Sequence, residues 1–167
     1  MKKIHTMNKG FQILLVTLLI ISNPVCAQLF INEFMASNDL AFPGPQGDYP
    51  DWIEIYNAGS EDLMLGGYYL NDGLDVAEAY QIPATYPDSV TVPAGGFILF
   101  FANSNDSTSV MNLNFSLNGG GEQIGFWGPD LSLIDTLSYA AQLADVSFGR
   151  FADGSENWYI MTEYTPG

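Results

Sequence analysis

The sequence is poor in the side chains that carry nucleophilic and proton-transfer chemistry. Its 167 residues include one cysteine, one histidine and four basic residues, against 19 acidic ones. Cys26, His5 and all the lysines fall within the first 27 residues, so only Arg150 remains downstream. Residues 28–167 therefore cannot build a Ser-His-Asp or Cys-His site, a lysine Schiff base or a histidine zinc site.

The first 27 residues have the pattern of a secretory signal peptide. Lysines precede an apolar run from Phe11 to Ile21, and the small residues of Val25-Cys26-Ala27 offer a cleavage site. The run is too short to cross about 30 Å of hydrocarbon as a permanent anchor. We predict cleavage after Ala27, which gives a secreted or cell-surface product with no membrane insertion. Acylation of Cys26 in a lipoprotein is the alternative, and Asn23-Pro24-Val25 is a poor match to its signal.

The charge that remains after cleavage excludes one class of partner. Residues 28–167 hold one guanidinium against 19 carboxylates, a formal charge of −18. Binding to a phosphate backbone needs several Lys or Arg contacts that release counterions, so we expect no nucleic-acid partner. The same region has no cysteine for a disulfide, and a hydrophobic core must stabilise it.

Residues 28–167 have the pattern of short strands between Gly, Pro, Asn and Asp clusters, without an amphipathic helix of useful length. The spacing of the strands and turns predicts one all-β domain, a two-sheet sandwich. The predicted strands are Leu29 to Met35, Asp51 to Asn57, Leu63 to Leu70 (one or two strands), Val90 to Val92, Phe97 to Ala102, Asn112 to Leu117, Glu122 to Trp127, Ser132 to Tyr139, Val146 to Phe151 and Trp158 to Met161.

A series of short motifs along the chain carries a family resemblance. The motifs are Ile31-Asn32-Glu33, Asp51-Trp52-Ile53-Glu54-Ile55-Tyr56-Asn57, Leu65-Gly66-Gly67-Tyr68-Tyr69-Leu70-Asn71-Asp72, Val92-Pro93-Ala94-Gly95-Gly96-Phe97, Gly121-Glu122-Gln123-Ile124-Gly125-Phe126, Leu133-Ile134-Asp135, Val146-Ser147-Phe148-Gly149-Arg150-Phe151, Asp153-Gly154, Trp158 and Thr165-Pro166-Gly167. In this order they resemble the lamin-tail domain as it occurs in exported bacterial proteins. The resemblance implies an immunoglobulin-like β-sandwich that serves as an accessory module, with no catalytic residues to transfer.

Two classes of function follow. The first is a non-catalytic extracellular binding or spacer module, whose partner would be an unknown protein or glycan. The alternative is a carboxylate-dependent carbohydrate-active enzyme, with Asp51 and Glu54, or Glu33 and Glu54, as the acid and base. Carboxylates on neighbouring strands are more often surface groups at a sheet end, and we expect that here.

No organic cofactor is predicted, and a weak calcium site is left open. Hard oxygen ligands in flexible loops suit calcium, although Asp and Asn also occur in loops because they form turns. The candidate ligands occupy two loops: Asp39, Asp48 and Asp51 with Asn38 in the first, and Asp72 and Asp75 with Asn71 in the second.

Arg150 and the aromatic residues each have a structural and a functional interpretation. For Arg150 we favour a structural ion pair with Glu33, Glu54 or Asp135 over a grip on an anionic ligand. Trp52 and Tyr56 share a strand face and could stack on sugars, but the favoured interpretation of the aromatics is that they fill the core.

Overall fold

The computed structural model describes residues 29–167, so the predicted signal peptide and its cleavage site lie outside the described residues. Twelve strands are formed in this part of the chain: β1 (Leu29–Met35), β2 (Asp51–Asn57), β3 (Leu63–Met64), β4 (Tyr69–Asn71), β5 (Tyr80–Gln81), β6 (Thr91–Val92), β7 (Phe97–Ala102), β8 (Asn112–Leu113), β9 (Gly121–Trp127), β10 (Leu133–Ala140), β11 (Ser147–Arg150) and β12 (Trp158–Met161). Two short 3₁₀ helices, Val76–Glu78 and Pro87–Ser89, are the helical elements of this part.

Two sheets dominate the fold. The larger has six strands in the order β12-β11-β1-β2-β7-β8, and the smaller has four in the order β10-β9-β4-β5. β3 and β6 form a separate two-stranded ribbon. Every pairing is antiparallel except that of β7 with β8. This arrangement confirms the predicted all-β, immunoglobulin-like sandwich.

The core follows from the alternation of apolar residues along the strands, because successive side chains point to opposite faces. Ile53 and Ile55 of β2 face the four-stranded sheet, where they join Phe34, Phe100 and Phe126 in one buried cluster. Trp52 lies on the opposite face of β2 and is also fully buried, beside Met35 and Phe101. The central strands of the six-stranded sheet are therefore buried on both faces.

The structure departs from the predicted strands where turns interrupt them. The stretch from Leu63 to Leu70 is split between β3 and β4 by a turn at Gly66 and Gly67, and Gly67 has a φ of 93°. The predicted strand from Asn112 to Leu117 ends after Leu113 because the chain leaves the edge of the sheet there. Within residues 29–167 no helix is long and apolar enough to cross a membrane.

Candidate functional site

Two glutamates lie directly opposite each other on the outer face of the six-stranded sheet, the face that points away from the sandwich core. Glu33 of β1 pairs with Glu54 of β2, and they are 2% and 1% exposed. The expectation that these are surface carboxylates is therefore wrong. The protein buries both of them, although the described residues provide neither with a cationic partner.

A β-bulge explains why this part of β1 presents polar side chains outward. The pairing of β1 with β2 shifts register between Ile31 and Glu33, so Asn32 is an extra residue. A bulge redirects the side chains that follow it. Ile31 and Phe34 both reach the core, and the chain between them carries Asn32 and Glu33 on the outer face.

Hydrogen bonds from distant segments stabilise the Glu33 carboxylate. Its Oε1 accepts from Ser147 Oγ at 2.5 Å, and its Oε2 accepts from Thr165 Oγ1 at 2.8 Å. The backbone N–H of Thr165 also lies 3.2 Å from Oε1. Each oxygen thus has a donor from the protein itself, as a buried charged group requires.

Hydrogen bonds from distant parts of the chain hold the Glu54 side chain as well. Its Oε1 accepts from Asn32 Nδ2 at 3.1 Å, and its Oε2 accepts from the Gly167 N–H at 2.7 Å. Asn32 Nδ2 also donates to Asp153 Oδ1 at 3.1 Å, and Asn32 Oδ1 accepts from the Gly154 N–H. The bulge residue therefore links Glu54 to the turn between β11 and β12.

Burial changes the acidity of Glu54. Removal from water raises its pKa from 4.5 to about 7, and the neighbouring Glu33 and Asp153 carboxylates act in the same direction. The hydrogen bonds from Gly167 and Asn32 oppose this rise without cancelling it. Glu54 therefore takes up a proton near neutral pH.

Asp51 is a separate site rather than a partner of Glu54. The two residues are three positions apart on β2, whose regular pairing with β7 places their side chains on opposite faces. Burial also raises the pKa of Asp51 to about 6, while the Asn38 N–H, at 3.0 Å from Oδ1, lowers it. The structure does not bring Asp51 and Glu54 together as an acid–base pair.

Arg150 joins the two sheets. Its Nη2 contacts both oxygens of Asp135 at 2.9 and 3.1 Å, and its Nε donates to the Ile31 carbonyl at 2.8 Å. The guanidinium also lies 4.7 Å from the Trp158 ring, and Nη1 donates to the Ser155 carbonyl. Of the three carboxylates considered from the sequence, Asp135 is the one that pairs with Arg150.

The calcium candidates are spread over both loops. Asp48 Oδ2 accepts from Asn103 Nδ2 at 3.1 Å, and the Asp39 N–H donates to Asp145. In the second loop Asp75 caps the 3₁₀ helix through the Ala77 N–H. Among residues 29–167 no group of three or more Asp, Glu, His or Cys side chains is arranged to hold a metal ion. Calcium binding stays a prediction, since backbone and amide oxygens are also calcium ligands.

The remaining part of the outer face is covered by the long loop after β1 and by the C-terminal segment. Phe42 of the loop packs against Trp52 and Phe101, with ring centroids 6.0 and 6.4 Å apart. Tyr164 packs against Phe42 and donates a hydrogen bond from its hydroxyl to the Ala41 carbonyl at 2.6 Å. Trp52 is a buried residue, in agreement with the core interpretation of the aromatics, and cannot stack on a sugar.

Sequence reasoning missed the residues that close this site. Asn32, Ser147, Thr165 and Gly167 all donate to the two glutamates, yet none has a side-chain type that marks a site. Asp145 was missed as well, although its Oδ1 accepts from three successive N–H groups of the loop after β1, those of Asp39, Leu40 and Ala41. A positive φ of 59° at Asp145 places it in a left-handed turn, which Asp tolerates.

A family model described as Lamin Tail Domain matches residues 22–141, which is more than half of the chain and ends shortly before β11. No curated protein matches the chain.

Proposed function

The chain belongs to the lamin tail domain family, and from this premise we propose that it is a non-catalytic extracellular module that binds a partner or spaces other domains. The family is an immunoglobulin-like fold and generally non-catalytic. We further propose that the chain is exported by its predicted signal peptide, and that it acts as an accessory part of a larger secreted or surface assembly.

One observation supports the non-catalytic role most strongly: the fold itself occupies the hydrogen-bonding positions of the two carboxylates that lie directly opposite each other. Every oxygen of Glu33 and Glu54 accepts a hydrogen bond from the protein itself. The C-terminal segment covers both side chains, so a substrate would have to displace Thr165 and Gly167 to reach them. A general acid must contact the group that it protonates.

The alternative, a carboxylate-dependent carbohydrate-active enzyme, has one favourable feature. A glutamate with a pKa of about 7 is about half protonated at neutral pH, and the protonated fraction is the form that a general acid needs. The geometry opposes this function for both candidate pairs. Glu54 and Glu33 are covered by the C-terminal segment, and the Asp51 side chain lies on the opposite face of β2 from Glu54. The enzyme is therefore the alternative that the following experiment tests.

The experiment incubates the purified protein with a panel of polysaccharides and measures the release of reducing ends. We expect no release above that of a Glu54→Gln variant, which keeps the size of the side chain but cannot donate an acidic proton. Turnover that disappears in this variant while its melting curve remains cooperative would establish the enzyme instead.

Export is tested on the protein in its native cells. Fractionation followed by N-terminal sequencing should place the protein outside the cytoplasm, with Gln28 as its first residue. An uncleaved cytoplasmic product would contradict the proposal, and a lipid-modified Cys26 at the N-terminus would indicate the lipoprotein alternative.

A further inference from the structure

The last strand, β12, is an edge of the six-stranded sheet and carries no charge. It pairs only with β11 in the described part of the chain, and its sequence is Trp158-Tyr159-Ile160-Met161. Ile160 is 63% exposed, Tyr159 51%, and the adjacent Phe151 72%. Natural proteins usually protect an exposed edge with lysine, proline or a bulge. β12 has none of these.

The other edges of the two sheets are protected. β8 and β5 are only two residues long. β10 is longer, but Asp135 at its centre accepts a hydrogen bond from the Ile31 N–H at 2.9 Å, and its outward side chains include Thr136 and Ser138. The apolar, unprotected character of β12 is therefore particular to that edge.

An apolar cleft runs beside β12, between it and the edge of β10. One part of the cleft has a volume of about 220 Å³ and includes Leu143, Val146 and Ile160 in its lining. The adjoining part has a volume of about 350 Å³ and is lined by Leu137, Trp158 and three other residues. A strand added to β12 would direct every second side chain towards this cleft.

The register of β12 shows which of its backbone groups are available. The Phe151 N–H donates to the Asn157 carbonyl at 3.1 Å, so Asn157 belongs to a hydrogen-bonded pair. Such pairs alternate along an antiparallel ladder, and Tyr159 opposite Gly149 is the next one. The N–H and C=O groups of Trp158 and Ile160 therefore point away from β11, towards solvent.

The charge of the surface indicates which strand would pair there. Glu156 and Glu163 are exposed just beyond the two ends of β12. Within residues 29–167 the single cationic side chain is Arg150, and it is buried in its ion pair. A second copy of the chain would bring two strongly negative surfaces together, whereas a basic segment would be attracted to this surface.

We infer that β12 and the adjoining cleft form a docking site for an extended, basic segment of a partner protein, which adds to the six-stranded sheet as a seventh strand. Its backbone pairs with Trp158 and Ile160, its apolar side chains enter the cleft, and its lysine or arginine residues face the acidic surface. This inference rests on the proposed role as a contact module, and its failure would leave the non-catalytic result of the polysaccharide assay unchanged.

The test titrates the protein with a short, end-capped peptide of alternating lysine and valine, and follows binding by calorimetry. Ile160→Pro removes the outward N–H without touching the β11 pairing, and proline is tolerated at such an edge position. Ile160→Thr keeps the N–H and is the matched control. We expect Ile160→Pro to weaken binding by about tenfold or more, since it removes one hydrogen bond and obstructs the others. Ile160→Thr should change it by much less.

A second measurement keeps the wild-type protein and alters the peptide. Methylation of the backbone nitrogens on one edge of the peptide prevents strand pairing from that edge but leaves its charge unchanged, and methylation of both edges should abolish binding. If Ile160→Pro binds the peptide as tightly as the wild-type protein does, or if the doubly methylated peptide binds as tightly as the unmodified one, the attraction is by charge alone and the inference is overturned. An absence of binding between the wild-type protein and the unmodified peptide would also overturn it. A dimer in sedimentation without peptide, lost in Ile160→Pro, would show that the occupant is a second copy and would overturn the assignment to a basic partner.

Discussion

Both faces of the central strands β1, β2 and β7 of the six-stranded sheet are buried, but by different chemistry. The inner face is apolar, with Phe34, Ile53 and Phe100 packed against the smaller sheet. The outer face combines Trp52 with the carboxylates Glu33 and Glu54, and a loop and the C-terminal segment cover it. The inner face depends on removing apolar surface from water, whereas the outer face depends on donors that satisfy buried charges.

This difference has a consequence for stability. Apolar burial does not respond to protons, so the apolar side chains of the inner face should contribute equally at any pH where the carboxylates are the groups that titrate. Asp51, at the end of that face, titrates separately, with a pKa of about 6. The outer face holds Glu54, whose pKa changes on folding, and its contribution must vary with pH. Variants on each face can therefore be told apart by how their effects depend on pH.

The largest effect is expected on the inner face. Phe100→Ala should lower the free energy of unfolding by about 3–5 kcal/mol, because it removes a fully buried ring and leaves a cavity. Denaturant unfolding at acidic and at slightly alkaline pH should give the same loss. A loss that differed between the two conditions would contradict the division between the faces.

The next effect concerns the ion pair that joins the two sheets. Asp135→Asn should cost about 3 kcal/mol, because it strands a buried guanidinium and weakens the bond to the Ile31 N–H. The double variant Asp135→Asn with Arg150→Met should lose less than the sum of the two single losses. Additive losses in denaturant unfolding would show that the pair does not act as a unit.

The third prediction concerns the pH dependence of stability that the outer face should cause. Glu54 has a pKa of about 7 in the folded protein against an ordinary value of 4.5, so the folded state holds the proton more tightly. Stability should fall as the pH rises from about 4.5 to about 7, remain lower above that range, and be unaffected by this group below it. The full change is about 3 kcal/mol. Asp51 acts in the same direction, between 3.8 and about 6.

The measurement compares unfolding free energies across this range for Glu54→Gln and Glu163→Gln. The first removes the buried acid and should flatten the pH dependence. The second removes an exposed carboxylate, so it controls for the general reduction in negative charge. Equal slopes for the two variants would show that the dependence comes from overall charge rather than from the buried glutamate.

The inner face could be predicted from the sequence because its signals are local. Alternation along Asp51–Asn57 and the apolar run Phe97–Ala102 gave the correct bounds of β2 and β7. The outer face could not be predicted from the sequence. The groups that cover Glu33 and Glu54 lie 132 and 113 residues away along the chain, at Thr165 and Gly167. The Arg150 ion pair had three candidate partners in the sequence, and only the packing of β10 beside β1 selects Asp135.

The smallest effect concerns charge that neither face buries. The described surface is strongly negative, so added salt should raise the melting temperature by screening repulsion among the carboxylates, an effect of about 1 kcal/mol or less.

Calcium should raise the melting temperature further than sodium at equal ionic strength if Asp39, Asp48 and Asp51 bind it in the loop that covers the outer face. Asp48→Asn should remove that excess, and Asp72→Asn should leave it unchanged, because Asp72 belongs to the second loop. An excess that survives Asp48→Asn but is lost in Asp72→Asn would place calcium in the second loop, and a melting curve indifferent to both salts would contradict the repulsion argument itself.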